Sequence, residues 1–329
     1  MKKIVLSAMF LSLMIMPFST FASKQVTQSF KHPFTYLPMK TGAMIFTHEQ
    51  KNFYYSQTPE IAVDWKKYKL SSTFDSIQGE AVHFKNYTYA IGGDIYNNGY
   101  SQDETFDRII RFKDENPKKI ETVITITNES GEYITPLIYN LVSFEDKLYT
   151  YTALEELLQS SDGTDWTTVE TTGLPNNKTL EQFIATTDTL YARIDNTIYY
   201  TKNGADWHKL NRQFSGVTNI MVYKDKLFVN NRNENNESDL FKLKSNHFIK
   251  ICSNKKGFID ATNSALFLIT NTLTDEEISY KIYKSTDGEK FTKVASGENA
   301  ITFDPMEVNG ETLFTISGSE NTNTYLLRI

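Results

Sequence analysis

The segment Ser160-Ser161-Asp162-Gly163-Thr164-Asp165-Trp166 recurs along the chain and decides the fold. Its counterparts are Thr201–Trp207, with Asn203-Gly204 near the centre, and Ser285–Phe291, with Asp287-Gly288. Each copy follows an apolar run and ends in Trp or Phe. Because Gly, Asn and Asp tolerate the positive φ of a tight turn, each copy predicts a strand, a two-residue hairpin turn and a second strand.

The aromatic residues that end these segments are spaced at the length of a propeller blade. Trp166 and Trp207 are 41 residues apart, Phe248 follows 41 residues later in a degenerate copy, and Phe291 lies 43 residues beyond it. A period of about 40–45 residues with several short strands per repeat is typical of β-propellers. We therefore predict an all-β, seven-bladed β-propeller, with six or eight blades as alternatives. The predicted blades cover residues 43–70, 77–124, 137–170, 182–210, 217–251, 257–294 and 300–329.

The first residues predict a secretory signal peptide. Lys2 and Lys3 precede the apolar stretch Ile4–Phe18, and Thr20-Phe21-Ala22 places small residues before a cut at Ser23. The predicted organisation is therefore a signal peptide over residues 1–22 and a single β-propeller domain over residues 23–329. This pattern favours a bacterial protein that is exported to the periplasm or secreted, with no membrane span after cleavage.

The last predicted blade is one strand short, and the start of the mature chain has an unassigned run with strand character, Gln28–Leu37. We expect this run to supply the missing outer strand and close the ring, because it would cover an exposed sheet edge. The specific expectation is backbone hydrogen bonds between Phe30–Leu37 and Thr324–Arg328. Residues 179–186 are the best candidate for a short helix.

The three repeated segments resemble the Asp-box repeat of the sialidase-type β-propeller superfamily. The resemblance implies that each segment is the outer turn between the third and fourth strands of a blade, in enzymes and non-enzymes alike. It also implies a structural role, in which a carboxylate or amide binds nearby backbone N–H groups. The predicted structural turn residues are Asp162, Gly163, Asn203, Gly204, Asp287 and Gly288.

Composition limits the partners of the protein. The formal net charge is −6, and the sequence has no basic patch that would favour nucleic acid or an anionic membrane surface. Cys252 is the only cysteine, so no internal disulfide stabilises the exported chain, which must rely on its core or on ring closure. We expect a monomer.

Sialidase chemistry is a specific alternative that the resemblance raises. Those enzymes hold a carboxylate with three arginines, whereas this chain has six arginines in all and lacks the Phe-Arg-Ile-Pro signature. The segment most similar to that signature is Ala192-Arg193-Ile194-Asp195. We interpret Arg193 as an ordinary residue at the end of a strand and predict no catalytic residues. The five histidines show no metal-ligand spacing, so we predict no metal and no cofactor. Asn230–Asp239 lacks the central Gly and closing Glu of a calcium loop and is interpreted as a solvated hairpin loop.

The remaining candidates lie on the face opposite the Asp-box turns, where loops join second to third strands and blade to blade. Loops on such scaffolds usually carry function, and tyrosines with polar neighbours suit a sugar or a peptide. The predicted ligand-binding residues are Tyr96, Tyr100, Asp103, Glu104, Glu155, Glu156, Asp275 and Glu276. We therefore favour a non-catalytic protein that binds a protein or glycan through its loop face. The alternative is a glycan-active enzyme, sialidase-like or another glycoside hydrolase, with its site at the mouth of the central channel.

Overall fold

A computed structural model describes residues 24–25, 34–40, 42–47, 52–59, 65–69, 76–97, 102–114, 116–127, 137–175, 178, 180–273, 278–298, 300, 302–308, 310–317 and 325–329. These residues form seven four-stranded antiparallel sheets and one two-stranded sheet, with no helix among them. Each four-stranded sheet is one blade, so the predicted seven-bladed, all-β propeller is confirmed.

The first four blades each take consecutive stretches of the chain. Blade 1 contains β2 (Phe34–Pro38), β3 (Ala43–Thr47), β4 (Asn52–Ser56) and β5 (Lys66–Lys69). Blade 2 contains β6 (Ser76–Phe84), β7 (Tyr87–Gly93), β10 (Arg108–Lys113) and β11 (Asn116–Thr125). Its second and third strands are separated by an accessory hairpin, β8 (Ile95–Asn97) and β9 (Gln102–Glu104). Blade 3 contains β12 (Ile138–Phe144), β13 (Lys147–Thr152), β14 (Leu157–Ser160) and β15 (Thr167–Thr168). Blade 4 contains β16 (Gln182–Ala185), β17 (Leu190–Ile194), β18 (Thr197–Thr201) and β19 (His208–Gln213).

The last blades complete the ring. Blade 5 contains β20 (Val217–Tyr223), β21 (Lys226–Arg232), β22 (Glu237–Lys244) and β23 (His247–Lys256). Blade 6 contains β24 (Phe258–Ala261), β25 (Leu266–Leu273), β26 (Ile278–Ser285) and β27 (Thr292–Glu298). Blade 7 contains β28 (Thr302–Val308), β29 (Glu311–Ser317), β30 (Tyr325–Arg328) and, at its outer edge, β1 (Lys24–Gln25).

The outer strand of blade 7 corrects the expected position of the closing segment. Lys24 pairs with Arg328 and Gln25 with Leu327, in antiparallel register. Phe34–Pro38, within the run expected to occupy this place, is instead the innermost strand of blade 1. The physical reason is burial on both faces, since Tyr36 and Leu37 are both buried and point to opposite sides of the sheet. Residues 28–33 lie outside the described residues.

The core consists of seven apolar clusters, one at each interface between neighbouring blades. Side chains alternate along a strand, so a central strand must be apolar on both faces. In β3, Met44 and Phe46 pack toward blade 2, whereas Ala43 and Ile45 pack toward blade 7. The same alternation in every blade gives continuous apolar runs in the second strands.

The innermost strands surround a central channel of about 870 Å³. All seven blades contribute to its wall, with Tyr36, His83, Leu141, Phe183, Val222, Asp260 and Asp304 as one residue from each. Because each blade is an antiparallel up-and-down sheet, its first hairpin and its third-to-fourth-strand turn lie at one end. We call this end the turn face, and the opposite end, with the second-to-third-strand loops and the interblade connections, the loop face.

Candidate functional site

Two adjoining cavities on the loop face form the candidate site, and together we call them the loop-face groove. The first, about 830 Å³, lies over blades 5 to 7 and is lined by Phe258, Tyr283 and Asp304 among others. The second, about 510 Å³, lies between the loops of blades 4 and 5. Arg232 and Asn236 line both cavities, so the loop of blade 5 is the wall between them.

The wall is a short loop that its own side chains hold in place. The Asn233 side-chain oxygen accepts hydrogen bonds from the backbone N–H of Asn235 at 3.0 Å and of Glu237 at 2.9 Å. Asn236 has φ +60°, which Asn tolerates better than most residues. Its carbonyl accepts a hydrogen bond from the N–H of Gly257 at 3.1 Å, in the connection to blade 6. The loop is therefore fixed to the neighbouring blade.

Gly257 allows the connection between blades 5 and 6 to pass close to the wall. Its φ is +118°, and a Cβ there would lie 2.2 Å from the carbonyl oxygen of Ile269. The Gly257 carbonyl also accepts a hydrogen bond from the Ser238 hydroxyl at 2.6 Å. Only glycine fits this position, which brings the floor of the first cavity against blade 6.

Among the described residues, the groove carries three positive side chains and two negative ones, although the whole chain is acidic. Arg232, Lys256 and Lys281 line the first cavity, whose one acid among the described residues is Asp304. The Asp304 side chain is exposed to solvent in the channel, but many protein atoms lie around it. The resulting loss of hydration raises its pKa. The described part of the lining therefore has an excess of positive charge.

Five of the eight predicted ligand-binding residues lie within the described residues, on two different loops of the loop face. Tyr96, Asp103 and Glu104 lie on the accessory hairpin of blade 2, and Glu155 and Glu156 lie, exposed, on the loop of blade 3. Tyr100, Asp275 and Glu276 lie outside the described residues. Glu155 and Glu156 are not among the described residues that line the loop-face groove.

The sequence pattern does not identify the residues that line the groove. It favours a solvated loop for the whole of Asn230–Asp239, which contains two of them, Arg232 and Asn236. In the structure Asn230 is buried inside β21, and only residues 233–236 form the loop. The Gly257 that follows blade 5 was a usable signal, because an isolated glycine after a strand indicates close backbone approach.

The three repeated segments form turns with the same hydrogen bonds on the turn face. In the first, the Gly163 N–H donates to the Ser160 hydroxyl at 2.8 Å, and one Asp162 oxygen accepts from the N–H of Thr164 and Asp165 at 2.8 and 2.9 Å. Asn203 accepts from Ala205 and Asp206, and Asp287 from Glu289 and Lys290, in the same way. The backbone donors of Asp165 and Thr164 hold the pKa of Asp162 well below its usual range.

These turns are wider than the predicted two-residue hairpins. β14 ends at Ser160 and β15 begins at Thr167, so the side chain of Asp162 replaces the cross-strand hydrogen bonds that a tight turn would make. Tight turns with two positive-φ residues occur in first hairpins, at Glu145-Asp146 and Lys224-Asp225, and in the degenerate copy of blade 5, at Ser245-Asn246.

The described arginines do not converge. Arg108 pairs with Asp94 and Asp107, Arg111 with Glu121, Arg193 with Glu181, and Arg328 with Glu311. Arg212 stacks on Phe241, 4.1 Å from the ring centre. Among the described residues that line the channel, none is an arginine.

No group of three or more His, Cys, Asp or Glu side chains in the described part of the chain is arranged to hold a metal ion. Within the same residues, no helix has the length and apolar character needed to cross a membrane.

Comparisons with known proteins agree with the fold. Residues 138–265, which cover blades 3 to 5 and the start of blade 6, match the model of the DUF6242 beta propeller domain. No curated protein matches the chain. The structure is similar to that of YCF48 bound to D1 peptide, with a TM-score of 0.58, 10% identity and 95% of each chain covered.

Two further solved structures share the fold. YCF48 from Cyanidioschyzon merolae has a TM-score of 0.55 and 11% identity, with 94% of this chain and 98% of that chain covered. A prolyl endopeptidase structure has a TM-score of 0.57 and 12% identity, with 89% of this chain covered. This chain spans about half, 49%, of the endopeptidase chain. At these identities the likeness concerns the fold alone.

Proposed function

We propose that the protein is an exported, non-catalytic β-propeller that binds a protein ligand, as an extended polypeptide segment, in its loop-face groove. The observation that carries the proposal is the groove itself, which has preformed walls and is lined by side-chain amides, hydroxyls and cations. A wall held by hydrogen bonds before the ligand arrives reduces the entropic cost of binding. Loops on a rigid scaffold are where binding residues usually lie.

A polypeptide suits the groove better than a glycan. Sugars are commonly held against an exposed aromatic ring, whereas every aromatic side chain whose burial is described is buried or half-buried. The groove offers amides at Asn235, Asn236 and Asn271, which can pair with a peptide backbone. A same-fold protein was solved with a peptide bound, which supports this choice of ligand class.

The glycan-active enzyme is the second candidate, and the arrangement of the charged groups weighs against it. A sialidase-like site needs three arginines at one place, but the described arginines are distributed over several blades and mostly paired with acids. Carboxylates do line the channel, at Asp260, Asp304 and Glu307. Assay of fluorogenic sialosides and other aryl glycosides separates the two candidates, because turnover by the purified protein would favour the enzyme.

We further infer that the three turns belong to an Asp-box repeat with a structural role. Their shared hydrogen bonds and their place between third and fourth strands support this, as does their position on the face away from the groove. Export and a monomeric state complete the proposal. Expression with the native leader in a Gram-negative host tests export, with a mature N-terminus at Ser23 as the expected result.

The experiment that tests binding is selection of peptides from a random phage-displayed library on the mature protein. Selected peptides are then measured against Thr272→Trp, which fills the groove from its exposed edge without changing charge. We expect at least about a tenfold loss of affinity, as for removal of one or two good contacts. The matched control is Thr292→Trp on the exposed outermost strand of the same blade, which should bind normally. Failure to enrich any peptide, or equal binding by both variants, would contradict the proposal.

A further inference from the structure

Arg232 differs from every other described arginine in its surroundings. Among the described residues, no hydrogen bond or ion pair involves its side chain, and its buried Nε has no partner. The acids of the two cavities, Asp304 and Glu234, form no ion pair with it. A buried donor without a partner costs about 1–3 kcal/mol, and more when it is charged, so proteins rarely leave one without a purpose.

The position of this guanidinium is set by rigid backbone. Arg232 is the last residue of β21, a central strand, and it pairs with Val217 on one side and Ser238 on the other. Gly216 approaches so closely that a Cβ there would lie 2.1 Å from the Arg232 carbonyl oxygen. The guanidinium is therefore presented from a fixed point at the wall shared by the two cavities.

We propose that Arg232 is a carboxylate-binding residue and that the loop-face ligand places a carboxylate against it. This inference rests on the proposed function, since it names the chemistry of the ligand for the same groove. The planar guanidinium can donate two parallel hydrogen bonds to the two oxygens of one carboxylate, which would give this side chain the partner that it lacks. Lys256 and Lys281 line the same cavity and add positive charge there. Their ammonium groups cannot form the same planar, bidentate pair with a carboxylate.

Two kinds of ligand could supply this carboxylate, a polypeptide and an acidic sugar. In a polypeptide it is an acidic side chain or the free C-terminus, and in a glycan it is a uronic or sialic acid. The polypeptide source agrees with the proposed function. A single guanidinium beside side-chain amides can orient one carboxylate of a peptide. It does not reproduce the three converging arginines of a sialidase site.

The direct test observes the Arg232 Nε–H resonance by ¹⁵N NMR while N-acetyl-aspartate is added to the mature protein. We expect a saturable shift of this resonance, which is assigned by its loss in Arg232→Lys. The neutral analogue N-acetyl-asparagine should give no saturable shift. The Nε–H of Arg328, already paired with Glu311 at 3.1 Å, is the internal control and should not move. Equal responses to the two compounds, or no response at Arg232, would overturn the proposal.

Further arms distinguish the sources and separate this inference from the proposed function. Peptides selected on the mature protein are compared as Asp/Glu and Asn/Gln versions and as free and amidated C-termini, beside glucuronate and its methyl ester. We expect acid-dependent peptide binding that falls at least about tenfold in Arg232→Gln and in Arg232→Lys, which keeps the charge but loses the fork. Peptides that bind Arg232→Gln normally but fail on Thr272→Trp would overturn the carboxylate proposal and leave the proposed function intact. Absence of any peptide ligand, with N-acetyl-aspartate or glucuronate still shifting Arg232, would support the subsite and contradict the polypeptide ligand.

Discussion

At the scale of single residues, glycine in two of the repeated turns makes room for a tyrosine of the preceding blade. A Cβ on Gly163 would lie 1.9 Å from the hydroxyl oxygen of Tyr89, and one on Gly204 would lie 2.7 Å from that of Tyr149. Both tyrosines are in second strands and are almost fully buried. The glycine therefore serves the interface between blades as well as the turn, whose positive φ it also permits.

Replacing Gly163 by Ala should therefore cost more than the backbone strain alone. We expect a loss of about 2–4 kcal/mol in the free energy of unfolding, from strain plus the clash with Tyr89. Gly310→Ala is the matched control, because Gly310 has φ +77° but nothing within 4 Å of an added Cβ. It should lose only about 1 kcal/mol. Urea denaturation measures both, and equal losses would contradict the packing role.

The carboxylates of the turns should make the protein sensitive to acid. The pKa of Asp162 is depressed in the folded state from its ordinary 3.8, so its contribution is present above that value and is lost as pH falls toward the folded pKa. Asn203 makes the same backbone hydrogen bonds with a neutral amide. Asp162→Asn should thus leave stability at pH 7 nearly unchanged and flatten its decline below pH 4. Denaturation curves at several pH values check this, and an unchanged decline would contradict it.

At the scale of elements, sequence patterns predicted the hairpins, which pair residues close together in the chain. The period of the aromatic residues and the turn pairs placed six of the seven blades within a few residues of their observed bounds, because each blade is built from hairpins. The strand at residues 34–38 was placed in the wrong blade, since its apolar pattern does not say which neighbour it pairs with. Lys24–Gln25 has no pattern at all. Residues 179–186 were expected as a short helix, but β16 (Gln182–Ala185) lies there because its Phe183 is needed at the interface between blades.

The groove could not be predicted from the sequence because no single element contains it. Arg232 and Asn236 come from blade 5, Lys281 from blade 6 and Asp304 from blade 7. Arg232 has no acidic partner among the described residues, although Glu234 and Glu237 lie close to it in the sequence. Which side chains surround it in space could not be predicted from that sequence. The loop face itself was predicted, since strand order determines which loops share an end.

At the scale of the whole molecule, the ring is held by seven equivalent interfaces and one short edge pairing. The cluster between blades 7 and 1 joins Leu313 and Leu326 to Tyr36, Ala43 and Ile45. Outside it, β1 covers the open edge of β30 with two residue pairs. Closure therefore depends on core packing for its main free energy and on β1 for protection of the edge.

Deleting the chain up to and including Gln25 should uncover that edge. We expect a loss of about 1–2 kcal/mol in the free energy of unfolding, from two pairs of backbone interactions, together with a lower monomer fraction. The control is Lys24→Ala with Gln25→Ala, which removes side chains but keeps the backbone pairing, and it should behave as the unaltered protein. Urea denaturation and size-exclusion chromatography measure the two effects. A truncated protein as stable and as monomeric as the control would show that β1 has no protective role.

Blade 7 combines the strand β1 with three strands from the other end of the described chain, and this has a consequence for the order of folding. Six blades consist of consecutive hairpins, so each can assemble as soon as its own stretch of chain is available. Blade 7 alone joins the first and last described strands, and β1, although made first, has no partner until β30 arrives. Pairing across such a sequence separation is slow compared with hairpin formation. We therefore expect the docking of β1 to be the last step of folding, and until then the uncovered edge of β30 is the surface that a chaperone would need to shield.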